Sequence, residues 1–218
     1  MLTIRRHPVG PYQANAWLAW DEGTGEAFLV DAGAEPERLL KEIESLGVTL
    51  RAILQTHAHA DHIAALPEIA AATGAPVYLH PDAEPMLHSA EENLSALAGI
   101  PITAPVPYTP VHDEERLEVL GREVRVYHTP GHAPGSVCFH LPEEGVVFTG
   151  DALFQGSIGR TDFPGGSLET LLSGIRGKLL VLPDDTRILA GHMGASTIGR
   201  ERRTNPFLQG DAPERGAR

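Results

Sequence analysis

The chain contains little cysteine, little lysine and no long apolar run. Cys138 is the single cysteine among 218 residues, which excludes an internal disulfide and a thiolate-rich zinc cage. It lies in the apolar, strand-like segment 136–139, so we expect a small buried core residue and not a reactive thiol. Lysine occurs only at Lys41 and Lys178, and no segment approaches the ~18 apolar residues of a membrane-spanning helix.

Positive charge is also scarce. The formal net charge is −12 at pH 7, which disfavours general binding to nucleic acid or to an anionic membrane, since both require a positive field. An anionic small molecule is still compatible with this charge, because a metal ion and one or two arginines can form a local positive pocket. Residues 1–20 lack the charged-then-apolar pattern of a secretory signal, so we expect a cytoplasmic protein.

Residues 57–62 concentrate side chains that bind metals. The segment reads His-x-His-x-Asp-His and follows an apolar run, 52–54, that predicts a strand. The end of a strand would direct these imidazoles and this carboxylate into one small volume, which suits a divalent metal ion. The alternative is a polar turn with solvated histidines, and the downstream residues described next argue against it.

Further strands are predicted to end in a histidine or an aspartate, at His132, Asp151 and His192. The predicted strands are 15–21, 27–30, 48–55, 76–79, 123–128, 137–140, 146–148 and 187–190, and the predicted helices are 35–46, 61–73, 82–98, 168–180 and 200–208. This order predicts an α+β fold of two packed sheets with helices outside. We expect one domain over residues 1–208, with two halves that meet near 99–110, and a flexible tail at 209–218.

The motifs in combination resemble the metallo-β-lactamase superfamily. They are His-x-His-x-Asp-His, Thr-Pro-Gly-His ending at His132, Thr-Gly-Asp ending at Asp151, and Gly-His ending at His192. The resemblance covers almost the whole chain, from Tyr12 to Leu208, and implies a four-layer αββα sandwich with one or two metal ions at the sheet edges. It also implies a ligand set: His57, His59 and His132 for the first metal, Asp61, His62 and His192 for the second, and Asp151 as a bridge.

Elementary coordination chemistry agrees with this ligand set. Seven nitrogen and oxygen donors without sulfur suit Zn²⁺, Fe²⁺ or Mn²⁺, and ligand type alone does not choose among them. We expect one or two divalent ions, with zinc as the first candidate. Two such ions share a hydroxide and polarise a carbonyl group, and Asp61 is expected to orient the metal-bound hydroxide. Asp31 resembles the strand-end aspartate of the family, so we expect it to support a ligand or a loop from behind. The alternative for Asp31 is a surface turn.

The segment 159–167 resembles the glyoxalase II group, and the segment 191–208 is similar to the short, bacterial type II glyoxalases. This resemblance implies cleavage of S-D-lactoylglutathione into D-lactate and glutathione by the metal-bound hydroxide. Arg160 matches the basic residue that contacts a carboxylate of the glutathione moiety, for which the guanidinium fork is suited. Its alternative role is structural, as a donor to loop carbonyls.

The sequence departs from the glyoxalase II group at two points, and it leaves two alternative functions open. We expect the helical C-terminal domain of longer type II glyoxalases to be absent, and Met193 stands where the family often has glycine. The main alternative is a mononuclear Fe²⁺ persulfide dioxygenase acting on glutathione persulfide, which shares the Gly-Arg-Thr-Asp-Phe segment and whose ligands would be His57, His132 and Asp151. A lesser alternative is a metal-binding module without turnover, and the oligomeric state is undetermined. The other histidines are expected to be ordinary surface or core residues, namely His7, His80, His88, His112, His128 and His140.

Overall fold

A computed structural model describes residues 1–209, so the predicted tail lies outside the described residues except for its first position. The first sheet has six strands, which lie side by side in chain order. They are β1 Leu2–Val9, β2 Ala14–Asp21, β3 Glu26–Val30, β4 Thr49–Leu54, β5 Val77–Leu79 and β6 Thr109–Pro110. The first three strands pair antiparallel and the remaining pairs are parallel.

The second sheet also has six strands, and a separate hairpin has two. The strands that follow β6 along the chain are β7 Arg116–Val119, β8 Arg122–His128, β9 Val137–Leu141, β10 Val146–Gly150, β11 Leu153–Phe154, β12 Ser157–Ile158, β13 Arg187–Ala190 and β14 Ser196–Thr197. The spatial order in the second sheet is β14-β13-β10-β9-β8-β7, and β11 pairs with β12 in the hairpin. Strand β10 pairs parallel with β13, so both end at the same sheet edge.

Six α-helices lie in the described part of the chain. They are α1 Pro36–Leu46, α2 Ala60–Ile63, α3 Leu66–Thr73, α4 Glu84–His88, α5 Leu168–Gly174 and α6 Ile198–Thr204. A 3₁₀ turn, Pro81–Ala83, precedes α4, and a π-helical turn, Ile175–Leu179, continues α5. None of these helices is long and apolar enough to cross a membrane.

The two sheets pack face to face. Trp17 and Phe28 of the first sheet contact Phe148 of the second edge-on, with ring centroids 6.3 and 6.0 Å apart. Helix α1 buries Leu39 and Ile43 on the outer face of the first sheet, as the helical spacing of its leucines predicts. Helix α5 covers the outer face of the second sheet. The predicted four-layer αββα fold is therefore confirmed.

Three predicted helices differ from the structure. The helix predicted over 200–208 lies earlier in the chain, because α6 spans Ile198–Thr204 and turns follow it. The helix predicted over 61–73 is divided, because α2 ends at Ile63 and α3 begins at Leu66 with Pro67 in its first turn. The helix predicted over 82–98 is wrong beyond α4, which ends at His88, and turns follow. The Asn93 side chain donates to the carbonyl groups of Met86 and Ile102, so it stabilises a folded loop in place of a helix.

Strand β1 was not predicted from the sequence. Its residues are mostly half-buried or exposed and include Arg5, Arg6 and Pro8, which weaken the hydrophobic alternation of an edge strand. The prediction for Cys138 is confirmed, because its side chain is buried in β9. Burial raises the pKa of its thiol to about 12, so it is protonated at neutral pH.

Candidate metal centre

The carboxyl ends of several strands meet at one edge of the sandwich. His57 follows β4, Asp151 follows β10 and His192 follows β13. His132 lies in the loop between β8 and β9, and the remaining predicted ligands lie at or just before α2. The structure brings all the predicted metal ligands together at this edge, in two neighbouring clusters.

The first cluster consists of His57, His59 and His132, all buried. One ring nitrogen from each lies within 4.8 Å of the others. His59 Nδ1 and His132 Nε2 face each other at 2.9 Å. His57 Nε2 is buried and has no hydrogen-bond partner among the described residues. An unpaired buried nitrogen is costly, so this cluster requires an additional partner.

The second cluster consists of Asp61, His62 and His192. His192 Nε2 lies 3.2 Å from Asp61 Oδ2 and 3.4 Å from His62 Nε2. His62 is fully buried, whereas Asp61 and His192 are partly accessible. The second cluster therefore opens to solvent on the side of Asp61 and His192.

Asp151 lies between the two clusters. Its Oδ2 is 3.5 Å from His132 Nε2 of the first cluster and 3.5 Å from His192 Nε2 of the second. Its Oδ1 is 3.4 Å from His62 Nε2, is buried and lacks a hydrogen-bond partner among the described residues. One carboxylate thus faces both groups of imidazoles, which is the position that the resemblance of the motifs implies for a bridging ligand.

These donors fit divalent cations. Imidazole nitrogens and carboxylate oxygens converge without sulfur, and two of the buried donor atoms, on His57 and Asp151, lack hydrogen-bond partners among residues 1–209. Cations at the two clusters would satisfy these atoms. The donor set does not distinguish zinc from iron or manganese.

Comparison with known proteins identifies the family. The model of the metallo-beta-lactamase superfamily matches residues 9–192. The chain belongs to this superfamily. It is 42% identical over 209 residues to "Hydroxyacylglutathione hydrolase GloC" of Haemophilus influenzae, a match that covers 95% of this chain and 98% of the relative. It is also 42% identical over 207 residues to "Probable metallo-hydrolase YqgX" of Bacillus subtilis, over 94% of this chain and 97% of that protein.

Solved structures of the superfamily agree over nearly the whole chain. "BLEG-1 B3 metallo-beta-lactamase" has a TM-score of 0.91 and 40% identity, and the match covers 95% of this chain and 100% of the BLEG-1 chain. "TTHA1623 in a di-iron-bound form" has a TM-score of 0.84 and 40% identity, over 94% of this chain and 100% of its own. "ETHE1 from Myxococcus xanthus" has a TM-score of 0.79 and 29% identity, over 96% of this chain and 86% of its own. The protein is therefore a metallohydrolase of this superfamily, and the fold with its clusters indicates divalent metal ions.

The two clusters differ in the pKa values of their histidines. Burial, together with the neighbouring imidazoles, lowers the pKa of His57 well below its ordinary value and that of His59 to about 3, so both are neutral at pH 7. Burial also opposes the charged form of His62, but Asp151, Asp61 and Asp31 outweigh it and raise the pKa of His62 to about 10. The second cluster therefore holds a proton that a cation would displace.

The pKa of Asp61 is lowered although burial acts to raise it. The nearby imidazoles of His62 and His192 stabilise the carboxylate more than burial destabilises it. Asp61 is consequently ionised throughout the neutral range and acts as a hydrogen-bond acceptor. This is the protonation state that an orienting role requires.

Asp31 supports the second cluster from below. Its carboxylate lies 2.9 Å from His62 Nδ1 and accepts hydrogen bonds from the backbone and hydroxyl of Thr56 and from the side-chain amide of Gln55. The same Gln55 amide donates to the carbonyl groups of His57 and His62. Asp31 is buried, so the alternative of a surface turn is wrong. A carboxylate behind the outer nitrogen of a ligating histidine fixes the orientation of the ring.

Gln55 and Thr56 hold the loops of the centre together, a role that the sequence analysis did not assign to them. Both are fully buried at the end of β4. A polar pair that follows a buried apolar strand is the signal that identifies them, because such groups need fixed hydrogen-bond partners. They link the loop after β3 to the loop that carries the histidines.

Gly191 permits the close approach of His192 to the clusters. A β-carbon at position 191 would collide with Asp151 Oδ1 and would lie 2.7 Å from His62 Cε1. Only a residue without a side chain fits beside these two groups. The Gly-His motif at the end of β13 therefore has a steric cause.

Arg160 lies at the rim and contributes its backbone to the centre. Its carbonyl accepts a hydrogen bond from His132 Nδ1 at 2.8 Å. Its guanidinium is exposed, bonds Asp162 through two nitrogens, and lies 4.1 Å from the centroid of the Phe163 ring. Phe163 in turn contacts the His59 ring edge-on at 5.8 Å. Substrate contact by the Arg160 guanidinium stays a prediction.

Met193 adopts a left-handed backbone conformation, with φ of 64°, directly after His192. Its carbonyl accepts hydrogen bonds from Arg6 Nη1 at 2.8 Å and from Asn15 Nδ2 at 3.1 Å. Glycine would adopt this conformation without strain, whereas a residue with a β-carbon adopts it rarely. The side chain is 54% exposed, so it extends into solvent beside the centre and is not packed beneath it.

Proposed function

We propose that the protein hydrolyses glutathione thioesters, with S-D-lactoylglutathione as the principal substrate. One observation carries this proposal: a complete set of seven predicted donors on a chain that is 42% identical to a hydroxyacylglutathione hydrolase over almost its full length. The expected partner is therefore a small-molecule thioester. A cytoplasmic location belongs to the same proposal.

The chain divides its donors between two cations. His57, His59 and His132 would hold one, Asp61, His62 and His192 the other, and Asp151 lies where it would contact both. Such ions, when bound, lower the pKa of a coordinated water to about 7 and polarise a substrate carbonyl. We propose zinc as the resident metal, and iron is the alternative, which the di-iron form of TTHA1623 supports.

The protein side chains orient the reactants. Asp61, ionised at neutral pH, accepts a hydrogen bond from the attacking water and directs its oxygen toward the thioester carbon. The imidazoles of His59 and His132 form a wall of the site and are fixed by Phe163 and by the Arg160 carbonyl. The departing thiolate leaves readily, since a thiol has an ordinary pKa of about 8.5.

Arg160 supplies a cation for the glutathione moiety. Its guanidinium is exposed at the rim and is held above Phe163 by Asp162. An exposed ion pair contributes only about 0–1 kcal/mol, so a substrate carboxylate can replace Asp162 at small cost. The planar fork then binds that carboxylate through two hydrogen bonds.

Hydrolysis of S-D-lactoylglutathione by protein of known metal content tests the proposal. We expect kcat/KM of about 10⁴ M⁻¹s⁻¹ or more, which lies in the ordinary range of enzymes. Asp151→Ala should abolish this activity, and the matched control Asp185→Ala, at an exposed position away from the centre, should retain it. Absence of turnover with both clusters loaded would exclude the assignment.

A second candidate is the oxidation of glutathione persulfide by oxygen, which the Gly-Arg-Thr-Asp-Phe segment at 159–163 supports. His57, His132 and Asp151 would be the ligands of one iron in that reaction. Oxygen uptake by an iron-loaded sample in the presence of glutathione persulfide separates this candidate from the hydrolase. The similarity to BLEG-1 makes a chromogenic cephalosporin the appropriate third substrate. Bound metal without turnover of any of the three would favour a binding module.

A further inference from the structure

A third group of metal-binding side chains lies apart from the seven donors described above. His80, Asp82 and His128 each place one donor atom within 4.8 Å of the other two. His80 directly follows β5 of the first sheet, and His128 is the last residue of β8 of the second sheet. The sequence predicts ordinary surface or core histidines at both positions. In the structure, they meet across the gap between the two sheets.

The donor atoms of this group are incompletely satisfied. His128 Nε2 is buried and has no hydrogen-bond partner among the described residues. His80 is buried, and its Nδ1 lies 3.7 Å from Asp82 Oδ2 and accepts the Asp82 backbone N–H at 3.2 Å. The two imidazole rings stack at a centroid distance of 4.0 Å with an interplanar angle of 9°. Their nitrogens therefore lie side by side next to an exposed carboxylate.

The surroundings of His80 and His128 favour neutral imidazoles, and the nearby charges of Lys178 and Asp113 offset each other. Burial is the first cause that lowers the pKa of both His80 and His128, so their lone pairs are available at pH 7. Lys178 Nζ donates to the backbone carbonyl of His128 at 2.8 Å, and Asp113, 2.5 Å from the same ammonium group, offsets its charge. A third imidazole, that of His112, lies 5.9 Å from the His80 ring.

We propose that His80, Asp82 and His128 bind a divalent transition-metal ion of the zinc class, at a third site that fastens the two sheets together. Two imidazoles with one carboxylate match the donor preference of Zn²⁺ and not that of Mg²⁺ or Ca²⁺. One ring must turn out of the parallel stack before both nitrogens point at a single ion. The third site is therefore expected to bind more weakly than the main centre.

Equilibrium dialysis of the full chain against buffered Zn²⁺, followed by elemental analysis, tests the site without any substrate. We expect one equivalent beyond those of the main centre, and we expect Asp82→Ala and His128→Ala to lose that equivalent alone. Asp82 is exposed, so its variant should fold even if the His128 variant does not. The matched control is His88→Ala, an exposed histidine on α4, and it should bind as the wild type does. Equal stoichiometry in all four proteins would overturn the proposal.

The role in fastening the sheets has its own readout. Raising free Zn²⁺ through the range that fills the additional equivalent should raise the Tm of the wild type and of His88→Ala, and should not raise that of Asp82→Ala. The same rise in all three proteins would show that the ion does not act at this site. Neither measurement depends on which reaction the main centre catalyses, so failure of the proposed function leaves this test intact.

Discussion

At the scale of single residues, the centre depends on the absence of a side chain at Gly191. The substitution Gly191→Ala would drive a methyl group into Asp151 Oδ1 and against His62 Cε1. We expect reduced metal content and a loss of activity of about 10²-fold or more, because a displacement of about 1 Å at a catalytic group has an effect of this size. Elemental analysis and thioester hydrolysis measure the two effects.

Gly177→Ala is the matched control for that substitution. Gly177 lies in the π-helical turn after α5, and a β-carbon there would meet no heavy atom of the described residues within 4 Å outside its chain neighbours and its own helix backbone. Replacing a helical glycine by alanine stabilises by roughly 0.5–1 kcal/mol, so this variant should retain its metal and unfold at a slightly higher temperature. Wild-type activity of Gly191→Ala would contradict the steric argument.

At the scale of elements, Arg122 joins the two sheets at their edge. It begins β8 and bonds Asp21, the last residue of β2, at 2.5 Å and Glu144, in the turn before β10, at 2.7 Å. The pKa of Asp21 is lowered from its ordinary value of 3.8 to about 2, and the hydrogen bond from Arg122 is the largest cause. The backbone N–H groups of Gly23 and Thr24 contribute to the same shift.

This pKa shift gives the protein a defined response to acid. A depressed carboxyl pKa contributes stability that is complete above the unfolded-state pKa and is lost as the pH falls from about 3.8 toward about 2. Arg122→Met moves the Asp21 pKa back toward its ordinary value, so we expect acid unfolding to begin at a higher pH than in the wild type. Circular dichroism during acid titration measures the midpoint.

Arg116→Met provides the control for Arg122→Met. Arg116 lies on the neighbouring strand β7, and its side chain is 66% exposed, whereas that of Arg122 is 16% exposed. Its ion pair with Glu123 should contribute at most about 1 kcal/mol, so its acid midpoint should stay close to that of the wild type. Equal midpoints for the two variants would show that the bond between the sheets does not control acid stability.

Elements with a strong local signal were predictable from the sequence, and elements governed by distant contacts were not. Helix α1 has buried leucine and isoleucine at helical spacing, a proline at its first position and Gly47 at its end, so local rules suffice. The segment after His88 has helix-compatible composition, but Asn93 bonds carbonyls on both sides of the loop and prevents a helix. Strand β1 exists because it pairs along its whole length with β2, which no local pattern reveals.

At the scale of the whole molecule, the candidate centre was more predictable than its environment. Its predicted donors lie in loops that follow strands ending at one edge of the sandwich, so the motifs in the sequence pointed to each of them. His80 and His128 come together only because one sheet packs on the other. They are far apart in the sequence, so no motif predicts this contact. The fixation of Arg160 above Phe163 is likewise a property of the folded loop and not of the motif.

The same whole-molecule arrangement predicts that metal removal destabilises the fold. The clusters collect donors from the ends of β4, β10 and β13, and without cations His57 Nε2 and Asp151 Oδ1 have no hydrogen-bond partner among residues 1–209. A ligand at 100 times its Kd stabilises by about 2.7 kcal/mol, and each kcal/mol shifts the Tm of a chain of this size by about 2–4 °C. Stripping the metal with a chelator should therefore lower the Tm by roughly 5–10 °C. Zn²⁺ should restore it and Mg²⁺ should not, because the donors are mainly imidazoles. An unchanged Tm in protein shown to be free of metal would mean that the clusters are held by the surrounding fold alone.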